Sequence, residues 1–227
     1  LSFCESSIRF TDKRTAIDSH HHSKAMQHHP QKRILDSNGQ CGSTAQYSFI
    51  SSTGTLTISG TGLMTDVSSA TYSAFFQIRS DISKIVICEG ITSIGSYSFT
   101  NCSQLIDVSL SSTVEIIGLQ AFYSCSNLQN IILPPSINKI DSYAFANTAL
   151  VSISLPNQIE SIYSSTFSGC NNLIDIQIPD SVTSIGASAF YNCYSLPRIS
   201  IPPTVTSVEP WVFQNCYSLS IIELPSS

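Results

Sequence analysis

Charge is scarce in this sequence. Asp, Glu, Lys and Arg make up 11% of its 227 residues, less than half the share usual in soluble domains. Ser and Thr supply much of the polar surface instead. So little charge is unusual for an intracellular enzyme and points to a surface or secreted protein. The formal net charge is −5. A nucleic-acid site needs a basic face, so no nucleic-acid partner is expected. No apolar run approaches the roughly 20 residues that cross a bilayer, so no membrane span is expected in this chain. The first residues, "LSFCESSIRFTDKR", lack the apolar core of a signal peptide.

Histidine is missing from most of the chain. All five lie between His20 and His29. A Ser or Cys nucleophile elsewhere would have no imidazole base. No CxxC occurs, which removes the paired ligands of a zinc site. The carboxylates are scattered, and no phosphate-cradling glycine motif is present. The chain is therefore expected not to be an enzyme and to use no cofactor or metal.

Residues 1–38 differ from the rest. They hold six of the ten basic residues (Arg9, Lys13, Arg14, Lys24, Lys32, Arg33) against Glu5, Asp12, Asp18 and Asp36. That leaves the segment at +2 and the remainder at −7. It shows no hydrophobic period and reads as a disordered or loosely attached His-rich tail. "HHHSKAMQHH" offers imidazoles to a divalent metal only adventitiously, since nothing fixes them.

What the chain has in abundance is repetition. Phenylalanine falls at 99, 122, 145, 167, 190 and 213, with gaps of 23, 23, 22, 23 and 23 residues. Leucine falls at 105, 128, 150, 173, 196 and 219 with the same gaps. After each Leu, apolar residues recur at the third and fifth positions, as in Ile176 and Ile178 after Leu173. A Val or Ile pair follows, from Ile91/Ile94 to Val205/Val208, and Ile82, Ile85 and Ile87 echo the pattern upstream. Each unit predicts one coil of a solenoid. "LxxIxI" is a short strand, stopped by Pro in most coils (Pro134, Pro156, Pro179, Pro202, Pro225). "VTSIG" is a second extended piece, and "ASAFYNC" has the length of one helical or 3₁₀ turn that drops Phe and Cys inward. One coil cannot bury these residues alone; stacking at about 4.8 Å turns each column into a continuous core. The predicted fold is mainly β with short helical or 3₁₀ turns: a right-handed solenoid of six to seven coils, residues 82–227.

Coil 3 is one residue short, and Thr148 or Ala149 stands where the others have Cys. Cys102, Cys125, Cys170, Cys193 and Cys216 share that column. They read as small buried side chains with a weak donor for turn carbonyls. Disulfides along the column are disfavoured, because stacked coils hold the Cβ atoms slightly too far apart. A Cys41–Cys88 bridge is conceivable in an exported protein.

"IPDSVTSIGASAFYNCYSLPRISIPPTVTSV" resembles the BspA-like leucine-rich repeat, also called the Treponema pallidum-type repeat, over about residues 82–225. The resemblance implies a curved solenoid and a cell-surface or secreted protein linked to host adhesion and matrix binding. "CGSTAQYSFISSTGTLTISGTGLMTD" is similar to the element that precedes such repeats. On its own residues it reads as two strands joined at "SSTG", a hairpin covering the first coil within a cap of residues 39–81. Where the family often carries Trp, this chain has Tyr72, Phe75 and Phe76.

The outward positions of the first strand then become the candidate site. Asp107, Asn130, Ser152, Asp175 and Arg198 form a band across the middle coils, alongside a column of small polar and aliphatic residues. Such a face suits a protein or glycan ligand, including host extracellular matrix or a cell surface. The alternative is a structural spacer or assembly module of a longer array, with end-to-end self-association.

Overall fold

A computed structural model of the chain describes residues 36–224. It begins with β1 (Ser37–Gln40), β2 (Ala45–Ile50), β3 (Thr55–Gly60) and β4 (Gly62–Leu63). β1 and β2 pair antiparallel, as do β2 and β3. The β2–β3 hairpin is built by alternation: Leu56 and Ile58 are buried while Thr55 and Thr57 face outward. Its turn closes at Gly54, whose φ of 63° places it in the left-handed region. Asp36 fastens the start of β1, its carboxylate accepting from the backbone N–H and the hydroxyl of Ser51. Those bonds hold its pKa below the usual carboxylate value.

The coils then alternate two short strands. Coil 1 gives β5 (Lys84–Ile87) and β6 (Ile91–Ile94), and coil 2 gives β7 (Asp107–Ser109) and β8 (Ile116–Ile117). Coil 3 gives only β9 (Lys139–Ile140). Coil 4 gives β10 (Ser152–Ser154) and β11 (Ser161–Ile162), and coil 5 gives β12 (Asp175–Gln177) and β13 (Ser184–Ile185). Coil 6 gives β14 (Arg198–Ser200) and β15 (Ser207–Val208), and β16 (Ile221–Glu223) opens the next turn. The first strands of the coils form one row and the second strands another. Where neighbouring strands pair they do so parallel and in register, Ile153 opposite Ile176 and Ile185 opposite Val208; β12 and β14 in the first row and β9 and β11 in the second do not pair. β3 pairs parallel with β5, so the hairpin lies against coil 1 as its sheet neighbour.

The third side of each coil is a chain of turns rather than a helix. Among the described residues the only helical turn is a 3₁₀ turn at Ala70–Tyr72. Bonds of the i→i−3 type are present, such as Cys125 N–H to Phe122 O at 3.2 Å. Two residues per coil break any helix by adopting left-handed φ. One lies two before the Phe (Tyr97, Gln120, Tyr143, Ser165, Ser188, Trp211) and one two after it (Asn101, Ser124, Asn147, Gly169, Asn192, Asn215). The later position is mostly Asn or Gly, the residues that tolerate this conformation best. The Phe N–H between them bonds to the following coil, at 2.9–3.0 Å in each pair from Phe99→Ala121 O to Phe190→Val212 O.

This geometry drops the phenylalanines into a ladder. Rings from Phe99 to Phe213 stack with centroids 5.5–5.9 Å apart. Phe75 of the cap extends the ladder, stacked on Phe99 at 5.2 Å and met edge-on by Tyr47. The Phe, Cys and Leu columns are buried through coil 5. Burial fails only at the last coil, where Phe213 and Leu219 are half-buried and Val208 is exposed, because no described coil covers them.

The cysteines bind the stack together. Sγ of Cys125, Cys170, Cys193 and Cys216 donates to the carbonyl of the Phe one coil back (Phe99, Phe145, Phe167, Phe190), each at 3.1–3.2 Å. Thr148 takes the column in coil 3, its hydroxyl donating to Phe145 O at 2.8 Å. Cys41 and the five column cysteines are free thiols, while Cys88 is disulfide-bonded. The Cys41–Cys88 bridge considered from the sequence is therefore not formed. The His-rich stretch lies outside the described residues.

Candidate interaction face

The first strand row fixes the five predicted residues. Asp107, Ser152, Asp175 and Arg198 sit on β7, β10, β12 and β14 with exposed side chains. Asn130 is exposed too, but its segment forms no strand. They share one outward column because side chains alternate along a strand while the coils repeat in register. The inward neighbours Val108, Ile131, Ile153, Ile176 and Ile199 are buried beneath them.

Their electrostatic states differ. Asp107 is engaged by Lys84 of the preceding coil at 2.7 Å. Asp175 accepts from the side-chain amide of Gln177 on its own strand, at 3.1 and 3.3 Å. Arg198 is the next residue in the column, yet among the described residues the ion pairs within 4 Å are Lys84–Asp107 and Lys139–Asp141. Asp175 and Arg198 are thus adjacent opposite charges that do not bridge each other. Lys139 belongs to the second row, where its amino group also lies 5.4 Å from the Tyr163 ring.

Two hollows open on the first-row face, one on each side of Ile132. One of about 430 Å³ lies toward coil 2 and includes Asp107 and Ser109. The other, of about 490 Å³, lies toward coil 4 and includes Ser152 and Asn157. A third, of about 320 Å³, sits under the cap between Cys41, Tyr72 and Phe75. Among the described residues no group of three His, Cys, Asp or Glu is arranged to hold a metal ion. No described helix is long and apolar enough to cross a membrane.

The repeat pattern concealed a second structural column. Thr113, Ser136, Ser181 and Thr204 each precede the Val or Ile of the second strand, and each hydroxyl donates to the carbonyl of the equivalent apolar residue one coil back, at 2.6–2.9 Å. Its signal in the sequence is a Ser or Thr repeating at that position, which the apolar columns overshadow.

Stacked 23-residue coils with an inward Phe–Cys–Leu set and two strand rows define a leucine-rich-repeat solenoid. The BspA type leucine rich repeat region matches residues 45–174 and 138–227, with six copies. The chain belongs to the BspA-type leucine-rich repeat family. No curated protein matches it. It is similar to the crystal structure of a leucine rich cell surface protein from Faecalibacterium prausnitzii, with 28% identity, a TM-score of 0.63, and coverage of 86% of this chain and 56% of that one. It is similar also to a leucine-rich repeat protein from Bacteroides ovatus, with 25% identity, a TM-score of 0.66, and coverage of 80% and 52%. A leucine-rich repeat protein from Eubacterium ventriosum shares the fold at 22% identity and a TM-score of 0.51, over 86% and 73% of the two chains. The chain thus spans about half the length of the Faecalibacterium and Bacteroides proteins.

Proposed function

We propose that this chain is a non-catalytic, cell-surface or secreted binding module that recognises a host or matrix macromolecule through its first-row face. The observation that carries the reading is Asp175 beside Arg198: two exposed, opposite charges on neighbouring strands, neither in an ion pair among the described residues. A scaffold that fixes outward side chains on strands presents them at low entropic cost to a protein or glycan. The disulfide at Cys88 fits an oxidising compartment, and the similar Faecalibacterium protein is a cell surface protein. Individual exposed charges contribute under about 1 kcal/mol, so affinity would come from area and, in longer arrays, from avidity.

The test is the double variant Asp175→Ala with Arg198→Ala, compared with the unaltered protein for adhesion to host cells and a panel of matrix proteins. The expected result is lost adhesion at an unchanged thermal midpoint. Unchanged adhesion would move the site to the turn side. A second reading, a spacer or assembly module, draws on the exposed Trp211, Tyr217, Ile222 and Leu224 at the last described coil; it would show as self-association in light scattering.

A further inference from the structure

Coil 3 interrupts the first strand row. Where the row is intact, the residue five after each Leu donates to the next coil: Leu155 N–H to Gln177 O at 3.0 Å, and Ile201 N–H to Glu223 O at 2.9 Å. Among the described residues, Leu110, Leu133 and Ile178 make no such bond, and the row is also unpaired between β12 and β14; only at coil 3 is the strand itself lost. Gln129 also lacks the bond that Ile174 makes to Val151 O. The backbone of residues 130–133 therefore runs between its neighbours unpaired, and it borders both of the hollows beside Ile132. Pro134–Pro135 end the segment, and the turn that leads from coil 3 into coil 4, between Phe145 and Leu150, is one residue short. Ile132 stands between the hollows at 85% exposure, more than any other large apolar side chain described, and Ile106 on the coil 2 side is 64% exposed.

We propose that this seam is a docking site for an extended, uncharged segment of a partner polypeptide, one of whose aliphatic side chains packs against Ile132. Backbone donors and acceptors left unpaired beside apolar surface favour a ligand that brings amides of its own. Charge complementarity selects the class. Among the described residues the only charged side chain lining either hollow is Asp107, and Lys84 is paired with it. A charged peptide would find no counter-charge. Among the described residues no aromatic ring lines either hollow, so the stacking surface that favours sugars is missing. The inference rests on the reading of the first-row face as the binding face and names the ligand class for its centre.

A displayed library of random heptapeptides provides the probe. It would be panned on the unaltered protein, and the selected peptides measured on Ile132→Arg and on Asp175→Ala/Arg198→Ala. The expected result is uncharged peptides with an aliphatic residue, bound about tenfold more weakly by Ile132→Arg, the scale of losing one central contact. Binding to the double variant should fall less than binding to Ile132→Arg, since neither Asp175 nor Arg198 lines a hollow. Charged selections, no selection, or binding by Ile132→Arg within about twofold overturns the proposal. If binding survives Ile132→Arg but falls in the double variant, the seam fails while the wider face stands; if neither variant matters, both readings fail. Ile132→Asn serves in place of Ile132→Arg should the latter lower the thermal midpoint.

Discussion

At the residue scale the cysteine column has a clear chemical character. Outside the column, in the cap, burial pushes the Cys41 thiol up to about 12 from 9.0. At Cys170 burial is the main cause and hydrogen bonding with Thr148 works against it, leaving the thiol at about 11. Burial likewise raises Cys125, Cys193 and Cys216. These are inert packing groups, not nucleophiles, since the thiolate is the reactive form. An acid whose pKa is higher folded than unfolded stabilises the fold fully below the unfolded value and loses that contribution as pH rises through the folded one. For Cys170 the window runs from 9.0 to about 11. Thr148 shows that this column accepts threonine, so Cys170→Thr is the matched control. The guanidinium midpoint of the unaltered protein should fall more steeply across that window than the midpoint of Cys170→Thr. Parallel curves would contradict it. The column itself was legible because Cys repeats in step with Phe. Which residue fills it in coil 3 was not: choosing Thr148 over Ala149 depends on where the missing residue is taken out of the turn. Phe75 was missed as a ladder member because it lies 24 residues before Phe99, in a cap that lacks the repeat.

At the scale of the element, the two strand rows follow from the apolar spacing, and the hairpin from its alternation and Gly54. The turn side did not read through. A segment of the right length with an inward Phe looks helical, but left-handed residues on both sides of that Phe convert it into successive turns. Asn at the later position was the available clue. The close approach of coils at the end of the second strand explains its glycines. A Cβ at Gly186 would lie 2.7 Å from Ser164 N and 2.9 Å from Tyr163 C. Both are backbone atoms and cannot swing aside. Gly186→Ala is expected to cost about 1–3 kcal/mol, the usual penalty for overpacking, measured by denaturant unfolding. Asp141, Tyr163 and Glu209 occupy the same column in other coils, so local shifts do make room; a cost under about 0.5 kcal/mol, the range of ordinary surface changes, would show that coil 5 shifts as easily.

For the whole molecule, the repeat makes the solenoid predictable because every coil restates the same inward set. The face is predictable only as columns. Which outward charges are already paired depends on side-chain reach: Lys84 engages Asp107, whereas Arg198 does not engage Asp175. The seam at coil 3 was invisible, since Asn130–Leu133 carries the same apolar pattern as its neighbours and differs in hydrogen bonding alone. The central claim is that binding occurs on the first-row face. It is tested most directly by carbodiimide labelling of carboxylates, with and without a matrix protein or host-cell fraction that the chain retains. Asp107 and Asp175 on the first row should lose labelling when the ligand is bound, while Glu115 and Glu160, exposed beside the second row, should keep theirs. Protection of Glu115 and Glu160 with Asp107 and Asp175 still labelled would contradict the account.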